Sequence, residues 1–236
     1  MGDQSRTETS DRESTSRDEP TLTAQETKEQ VLWTAQEMLR SGLVEGTAGN
    51  LGARLPDGNA VLTPSSLDYM EMTLDDLVVC DLDGNVLEGE RGPTSEKMLH
   101  LSALKLHPEV HATMHCHAKH ATMFALVREP IPAVIEEFDV FVGGDVEVAD
   151  YKTTGTDELA EEVAKRVEDR ACVLMANHGL FAVGRTPKDV LHIASLVERT
   201  AEIVWGARAL GTVVPLPEEV GKQFQGYYRY GRTGKF

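Results

Sequence analysis

Two apolar stretches of this sequence run into histidine. Residues 112–117 read Ala-Thr-Met-His-Cys-His, and residues 172–179 read Cys-Val-Leu-Met-Ala-Asn-His-Gly. Each has the length and content of a buried strand. Alternate side chains of a strand share a face, so His115 and His117 point to one side and Cys116 to the other, toward a core. A fold that sets the end of the second stretch beside the end of the first adds His178 as a third imidazole. Neutral imidazole is a good zinc donor, and catalytic zinc commonly takes three protein ligands and keeps one position open. His-x-His alone also describes a polar strand end that faces water. The third histidine, followed by Gly179 where another group can approach closely, strengthens the metal reading. His111 and His120 read as hydrogen-bonded polar residues, His120 with the option of supporting a ligand from behind.

The rest of the chain supplies what such a pair of strands needs. Its 236 residues are enough for one domain with a sizeable core, and 41% hydrophobic with 26% charged residues is ordinary for a globular protein. Residues 1–22 are nearly all Ser, Thr, Asp, Glu and Arg, a composition expected to stay disordered, so the folded domain is expected over residues 23–236. Thr23 with Glu26 makes a capping box for a first helix that ends near Ser41. Strands are expected at residues 51–55, 60–63, 77–81 and 86–88, and helices at 95–106, 119–126, 157–168 and 187–210. Residues 138–142 and 146–149, around Gly143-Gly144, read as a β-hairpin, and residues 180–183 as a continuation of the strand at 172–175. This mixture implies a three-layer α/β/α sandwich around a mixed, largely antiparallel central sheet.

The formal net charge of −16 argues against nucleic acid as a partner, since phosphate backbones are bound by clustered Lys and Arg. A small anionic metabolite needs only a local pocket and is not excluded. Three isolated cysteines, Cys80, Cys116 and Cys172, without CxxC spacing fit a reducing cytoplasm. No apolar run reaches the length of a membrane span, and no signal peptide is read.

Five motifs then occur in order: Gly46-Thr47-Ala48-Gly49-Asn50, Leu62-Thr63-Pro64-Ser65-Ser66, Thr94-Ser95-Glu96, His115-Cys116-His117-Ala118 and Ala176-Asn177-His178-Gly179-Leu180. With their spacing, the chain from about Gln25 to Tyr230 resembles the class II aldolase/adducin family. The resemblance implies a zinc enzyme with an α/β/α fold, assembled as a homotetramer. Its zinc ligands would be His115, His117 and His178. Glu96 would be the catalytic glutamate, also able to ligate the metal when substrate is absent. Gly49, Asn50, Ser65, Ser66, Thr94 and Ser95 would grip a substrate phosphate, as turns rich in N–H groups and hydroxyls are suited to do.

The implied reaction is aldol cleavage of a ketose 1-phosphate of the L-fuculose 1-phosphate type to glycerone phosphate and an aldehyde. The same family also implies three alternatives on this metal site: a ketose-phosphate dehydratase, a decarboxylase or a pentulose-phosphate 4-epimerase. A more remote one is a non-enzymatic, adducin-like interaction domain. Two positions depart from the family pattern. Glu136 stands where a tyrosine proton donor is expected, and the second family tyrosine corresponds to Tyr230 only through a loose match near the C-terminus, with an aromatic tail packing on a neighbour as the other reading.

Overall fold

A computed structural model describes residues 22–234. The expected tail, apart from Leu22, lies outside the described residues. An eight-stranded open sheet runs through the centre. Its strands are β1 (Asn50–Arg54), β2 (Ala60–Leu62), β3 (Val78–Cys80), β4 (Val86–Glu88), β5 (Ala112–Cys116), β6 (Val148–Ala149), β7 (Cys172–Met175) and β8 (Gly179–Gly184), in the spatial order β4-β3-β2-β1-β5-β8-β7-β6. Every neighbouring pair is antiparallel except β6 with β7. The helices are α1 (Ala24–Arg40), α2 (Lys97–Leu106), α3 (Lys119–Val127), α4 (Glu136–Val142), α5 (Asp157–Arg166), α6 (Pro187–Leu210) and α7 (Glu218–Thr233).

The strands alternate as the sequence requires. Met114, Cys116, Leu180, Ala182 and Leu174 join the larger apolar cluster under α1, α3 and α6, while Phe181, Val183, Val173 and Met175 join a second cluster under α2 and α5. Helices on both faces make the expected α/β/α sandwich. The Thr23–Glu26 capping box is present at α1. In β5, Thr113 and His115 lie on the face opposite the larger cluster, toward α2, and β1 pairs with β5 so that Asn50 stands opposite His115.

Three sequence expectations need correction. Residues 138–149 are not a hairpin. Glu136–Val142 is a helix that buries Phe138, Asp139 and Val142, a helical rather than a two-residue spacing, and its C-cap Gly143 takes φ 90°. Acidic residues in its first turn suit the helix dipole. Residues 180–183 do not continue β7. Asn177 at φ 56° and the bond from His178 N–H to the Met175 carbonyl turn the chain back, so β8 returns antiparallel with Met175 opposite Gly179. The aromatic C-terminus is not a tail but the helix α7, packed on α4, with the Tyr228 ring over Gly143 and Arg232 bonded to Glu109 and the Arg170 carbonyl. Of α7 only Tyr228 is buried, although Val220, Phe224 and Tyr228 follow one another at helical spacing.

Candidate active site

The β7–β8 turn does what the two apolar stretches demanded. It brings His178 beside the end of β5, where His115, His117 and His178 place one ring nitrogen each within 4.8 Å of one another. Gly179 makes the approach feasible: a Cβ there would fall on the Cys116 carbonyl and stand 3.1 Å from His117 Cδ2. His115 is fully buried, and its Nδ1 donates to the Leu180 carbonyl at 3.1 Å. Burial pushes this imidazole well below its usual range, so it is neutral and its Nε2 carries a lone pair. That Nε2 is 3.1 Å from His117 Nε2 and 3.5 Å from a Glu96 oxygen.

Glu96, the N-cap residue of α2, reaches in from the opposite side. Its other oxygen lies 3.6 Å from His178 Nε2. Asn50 Nδ2 donates to Oε2 at 2.9 Å and Thr154 Oγ1 to Oε1 at 2.8 Å. Burial alone would raise this carboxyl, but the imidazoles and the two donors outweigh it and hold it below the usual carboxylate range. The site is therefore an anion and three imidazoles at close quarters. Two ring nitrogens 3.1 Å apart cannot both present lone pairs, so a proton or a metal ion has to sit between them. Three nitrogen donors and a carboxylate fit a divalent ion of the zinc type.

Residues 29–205 match the family described as Class II Aldolase and Adducin N-terminal domain. The chain belongs to the class II aldolase and adducin family. It is 35% identical over 208 residues to the 5-deoxy-D-ribulose 1-phosphate aldolase of Bacillus thuringiensis serovar kurstaki, covering 86% of this chain and 97% of that one. It is 34% identical to the L-fuculose phosphate aldolase of Escherichia coli O6:H1, covering 86% and 94%. A solved structure named L-fuculose 1-phosphate aldolase superposes with a TM-score of 0.83 at 35% identity, over 88% of this chain and 98% of that one. The chain is thus a lyase of the class II aldolase kind, a metal-dependent class, and its three histidines are a group able to hold the metal.

Around this class II aldolase site the structure gathers the turns singled out in the sequence. The Ser65 N–H bonds to the Gly92 carbonyl and the Thr94 N–H to the Thr63 carbonyl, so residues 63–66 and 92–96 run side by side. Leu51 N–H bonds to Thr63 Oγ1, and the Tyr69 hydroxyl donates to the Gly49 carbonyl at 2.6 Å, which ties the first turn to the second. Ser65, Ser66 and Ser95 are exposed, and Ser66 holds a left-handed φ of 57°. Strain of that kind tends to persist where function requires it. The Asn50 side chain is turned to Glu96 and His100, with its Nδ2 on the carboxylate and its Oδ1 on the imidazole.

The structure does not bring Tyr230 or Glu136 to the histidines. Tyr230 is half-exposed on α7, whose last turn is tied by Arg232 to Glu109, just before β5 begins, whereas His115 and His117 stand where β5 ends. A cavity of about 260 Å³ opens at that far end, lined by Val183, Gly184, Tyr228 and Arg232, and holds none of the site residues. Glu136 is exposed in the first turn of α4. Glu198 caps the first turn of α3: its carboxylate accepts from His120 Nδ1 and from the His120 and Ala121 N–H groups. Sequence reasoning missed Thr154 and His100. Nothing marks Thr154 within an exposed loop, but His100 lies one helical turn after Glu96, a spacing that puts both on one face of α2.

Proposed function

We propose that this protein cleaves a ketose 1-phosphate, of the L-fuculose 1-phosphate or 5-deoxyribulose 1-phosphate type, to glycerone phosphate and an aldehyde, with zinc held by His115, His117 and His178. The observation that carries this is the Glu96 carboxylate, clamped by Asn50 and Thr154 and set 3.5–3.6 Å from two of the three imidazoles. Zinc bound there would supply an electron sink for the charge that develops on the substrate carbonyl oxygen as the C3–C4 bond breaks.

The chain's own residues have distinct tasks. Cleavage removes the proton of the C4 hydroxyl, sends the bonding pair to C3, and returns a proton to C3. Glu96, ionised and with about a tenth of its side chain exposed, is the group placed to carry the C3 proton. Gly49, Ser65, Ser66, Thr94, Ser95 and the Asn50 backbone form the phosphate grip, supported by the hydrogen bonds that hold their three turns together. The base that takes the C4 hydroxyl proton as the aldehyde forms, Tyr230 or Glu136, acts in this reading only from a neighbouring copy. Apolar residues left exposed on α3 and α6, among them Leu126, Val127 and Trp205, support assembly, in this reading as a homotetramer in the cytoplasm.

The test is glycerone phosphate release from a panel of ketose 1-phosphates, with and without a chelator, and with Glu96→Gln as control. Release that needs metal and falls by ~10²–10⁴ in the variant is the expected result. No release from any member of the panel by zinc-loaded protein overturns the aldol reading in favour of dehydration or decarboxylation.

A further inference from the structure

One buried titratable group beside the site takes no part in the reaction described above. His100 is fully buried on α2, between the helix and the sheet. Gly52 of β1 makes its room: a Cβ there would stand 3.0 Å from His100 Cβ and 3.0 Å from Thr113 Oγ1. A glycine inside a strand often marks such a close approach. His100 Nε2 is 2.6 Å from Asn50 Oδ1, and Nδ1 is 2.8 Å from Thr113 Oγ1.

The proton positions along this chain follow from its two ends. An ionised carboxylate only accepts, so Asn50 must turn its NH₂ to Glu96 and its Oδ1 to His100. An amide oxygen also only accepts, so His100 must carry its proton on Nε2. Burial drives the imidazole down to about 4, so it is neutral and has no second N–H. Nδ1 is then bare and accepts the Thr113 hydroxyl, whose alternative, the Gly52 carbonyl, is further away at 3.2 Å. Three groups donate in one direction along this chain: Thr113 to His100, His100 to Asn50, Asn50 to Glu96.

We propose that His100 is a positioning residue: as the Nε2–H tautomer it fixes which way the Asn50 amide faces, and through that amide it holds the Glu96 carboxylate toward His115 and His178. Without the His100 N–H, Asn50 is free to flip. A flipped amide sets its oxygen against the carboxylate, and only Thr154, on an exposed loop, still holds Glu96. Outer partners of metal ligands commonly change metal affinity or activity by ~10–100-fold when removed. The inference rests on Glu96 being the working carboxylate.

The first experiment needs no turnover. In metal-free protein labelled with ¹⁵N-histidine, the two-bond ¹H–¹⁵N correlation of His100 is expected to show the Nε2–H pattern; the Nδ1–H pattern overturns the proposal. The second compares His100→Leu with His100→Gln, whose amide N–H can replace that of Nε2. In the leucine variant, zinc affinity measured by chelator competition is expected to weaken ~10-fold, and kcat on any ketose phosphate turned over to fall ~10–100-fold, with KM within about twofold. Glutamine is expected to restore most of both. Equal losses in the two variants, or a rise in KM at unchanged kcat, would mean that His100 only fills space. If the leucine variant does not fold, the tautomer decides. If the protein cleaves nothing on the panel, tautomer and zinc affinity still judge His100, so its failure is distinguishable from that of the aldol reading.

Discussion

Gly179→Ala isolates the geometry on which the metal site depends. Gly179 opens β8 opposite Met175, and its backbone is not in the left-handed region, so an alanine there carries no φ penalty. The cost is purely steric. The new methyl would stand under 3.0 Å from the Cys116 carbonyl oxygen, 3.1 Å from His117 Cδ2 and 3.3 Å from His115 Cε1. Ordinary carbon–oxygen contacts lie near ~3.3 Å, so the strand ends must part by roughly 0.5–1 Å. Overpacking of this kind costs about 1–3 kcal/mol. At ~2–4 °C per kcal/mol for a chain of this size, the metal-free protein should melt roughly 2–12 °C lower. Ligand constellations tolerate ~0.5 Å, so zinc affinity should weaken at least ~10-fold. Gly58→Ala is the control: its φ is +90° and nothing lies within 4 Å of the added carbon, so it should lose only about 1–2 kcal/mol to backbone strain and keep its zinc affinity. Calorimetry of the metal-free proteins and chelator competition read both quantities. If Gly179→Ala melts and binds zinc like the parent, the close packing of β5 on β8 is not what sets the ligand positions.

Three further expectations concern the rest of the molecule. Gly143→Ala meets the Tyr228 ring, Cγ at 2.9 Å, from a φ of +90°, so it should destabilise the protein by roughly 2–4 kcal/mol while leaving zinc affinity unchanged, and proteolysis should then start in α7. His100 is held at about 4 against 6.5 for an unburied histidine; the unfolded chain therefore binds more protons between these values, and stability is present above pH 6.5 and lost as pH falls toward 4. That loss is roughly 3 kcal/mol, and urea titrations of the metal-free protein at several pH values should show a shallower acid slope in His100→Gln than in the parent. Trp205→Glu, which puts a charge into the exposed apolar surface of α6, should lower the mass measured by light scattering if that surface is an interface between copies, and leave it unchanged if it is not.

What could be read from the sequence was whatever repeats with a period or breaks one. The capping box at Thr23, the alternation of β5, β7 and β8, and the long α6 are local statements, and the structure repeats them. The three histidines were legible for the same reason, as polar breaks in apolar strands. α4 was misread because Phe138, Val140 and Val142 alternate like a strand, and only packing shows that Asp139, not Val140, is buried with Phe138 and Val142. α7 does not stand out in the sequence although Val220, Phe224 and Tyr228 recur at helical spacing, because three apolar residues among glycines and charges make a short stripe, and its docking rests mainly on one ring and one guanidinium. Asn50 was assigned to phosphate through the family resemblance, and a turn motif does not say where its side chain points. Its partners Glu96 and His100 are 46 and 50 residues away, a separation that no local pattern encodes.

The polar chain from Thr113 to Glu96 satisfies the carboxylate but does nothing for the imidazoles, and this asymmetry leads to a last prediction. His115 spends its only proton on the Leu180 carbonyl, and its lone pair then faces both His117 Nε2 and a Glu96 oxygen. In the metal-free protein the only relief is a proton from His117 or His178. A divalent ion relieves all four groups at once, and since the unfolded chain cannot assemble them, binding should appear as folding stability. Zinc at ~100 times its dissociation constant should add about 2.7 kcal/mol, or roughly 5–11 °C at ~2–4 °C per kcal/mol. In Glu96→Gln the anion is gone but the three imidazoles remain, so the metal-free form should melt no lower than the parent, and zinc should still raise its melting temperature by a smaller amount at equal zinc concentration. A parent protein whose melting temperature is indifferent to zinc would show that His115, His117 and His178, although within 4.8 Å, are not held as a metal site.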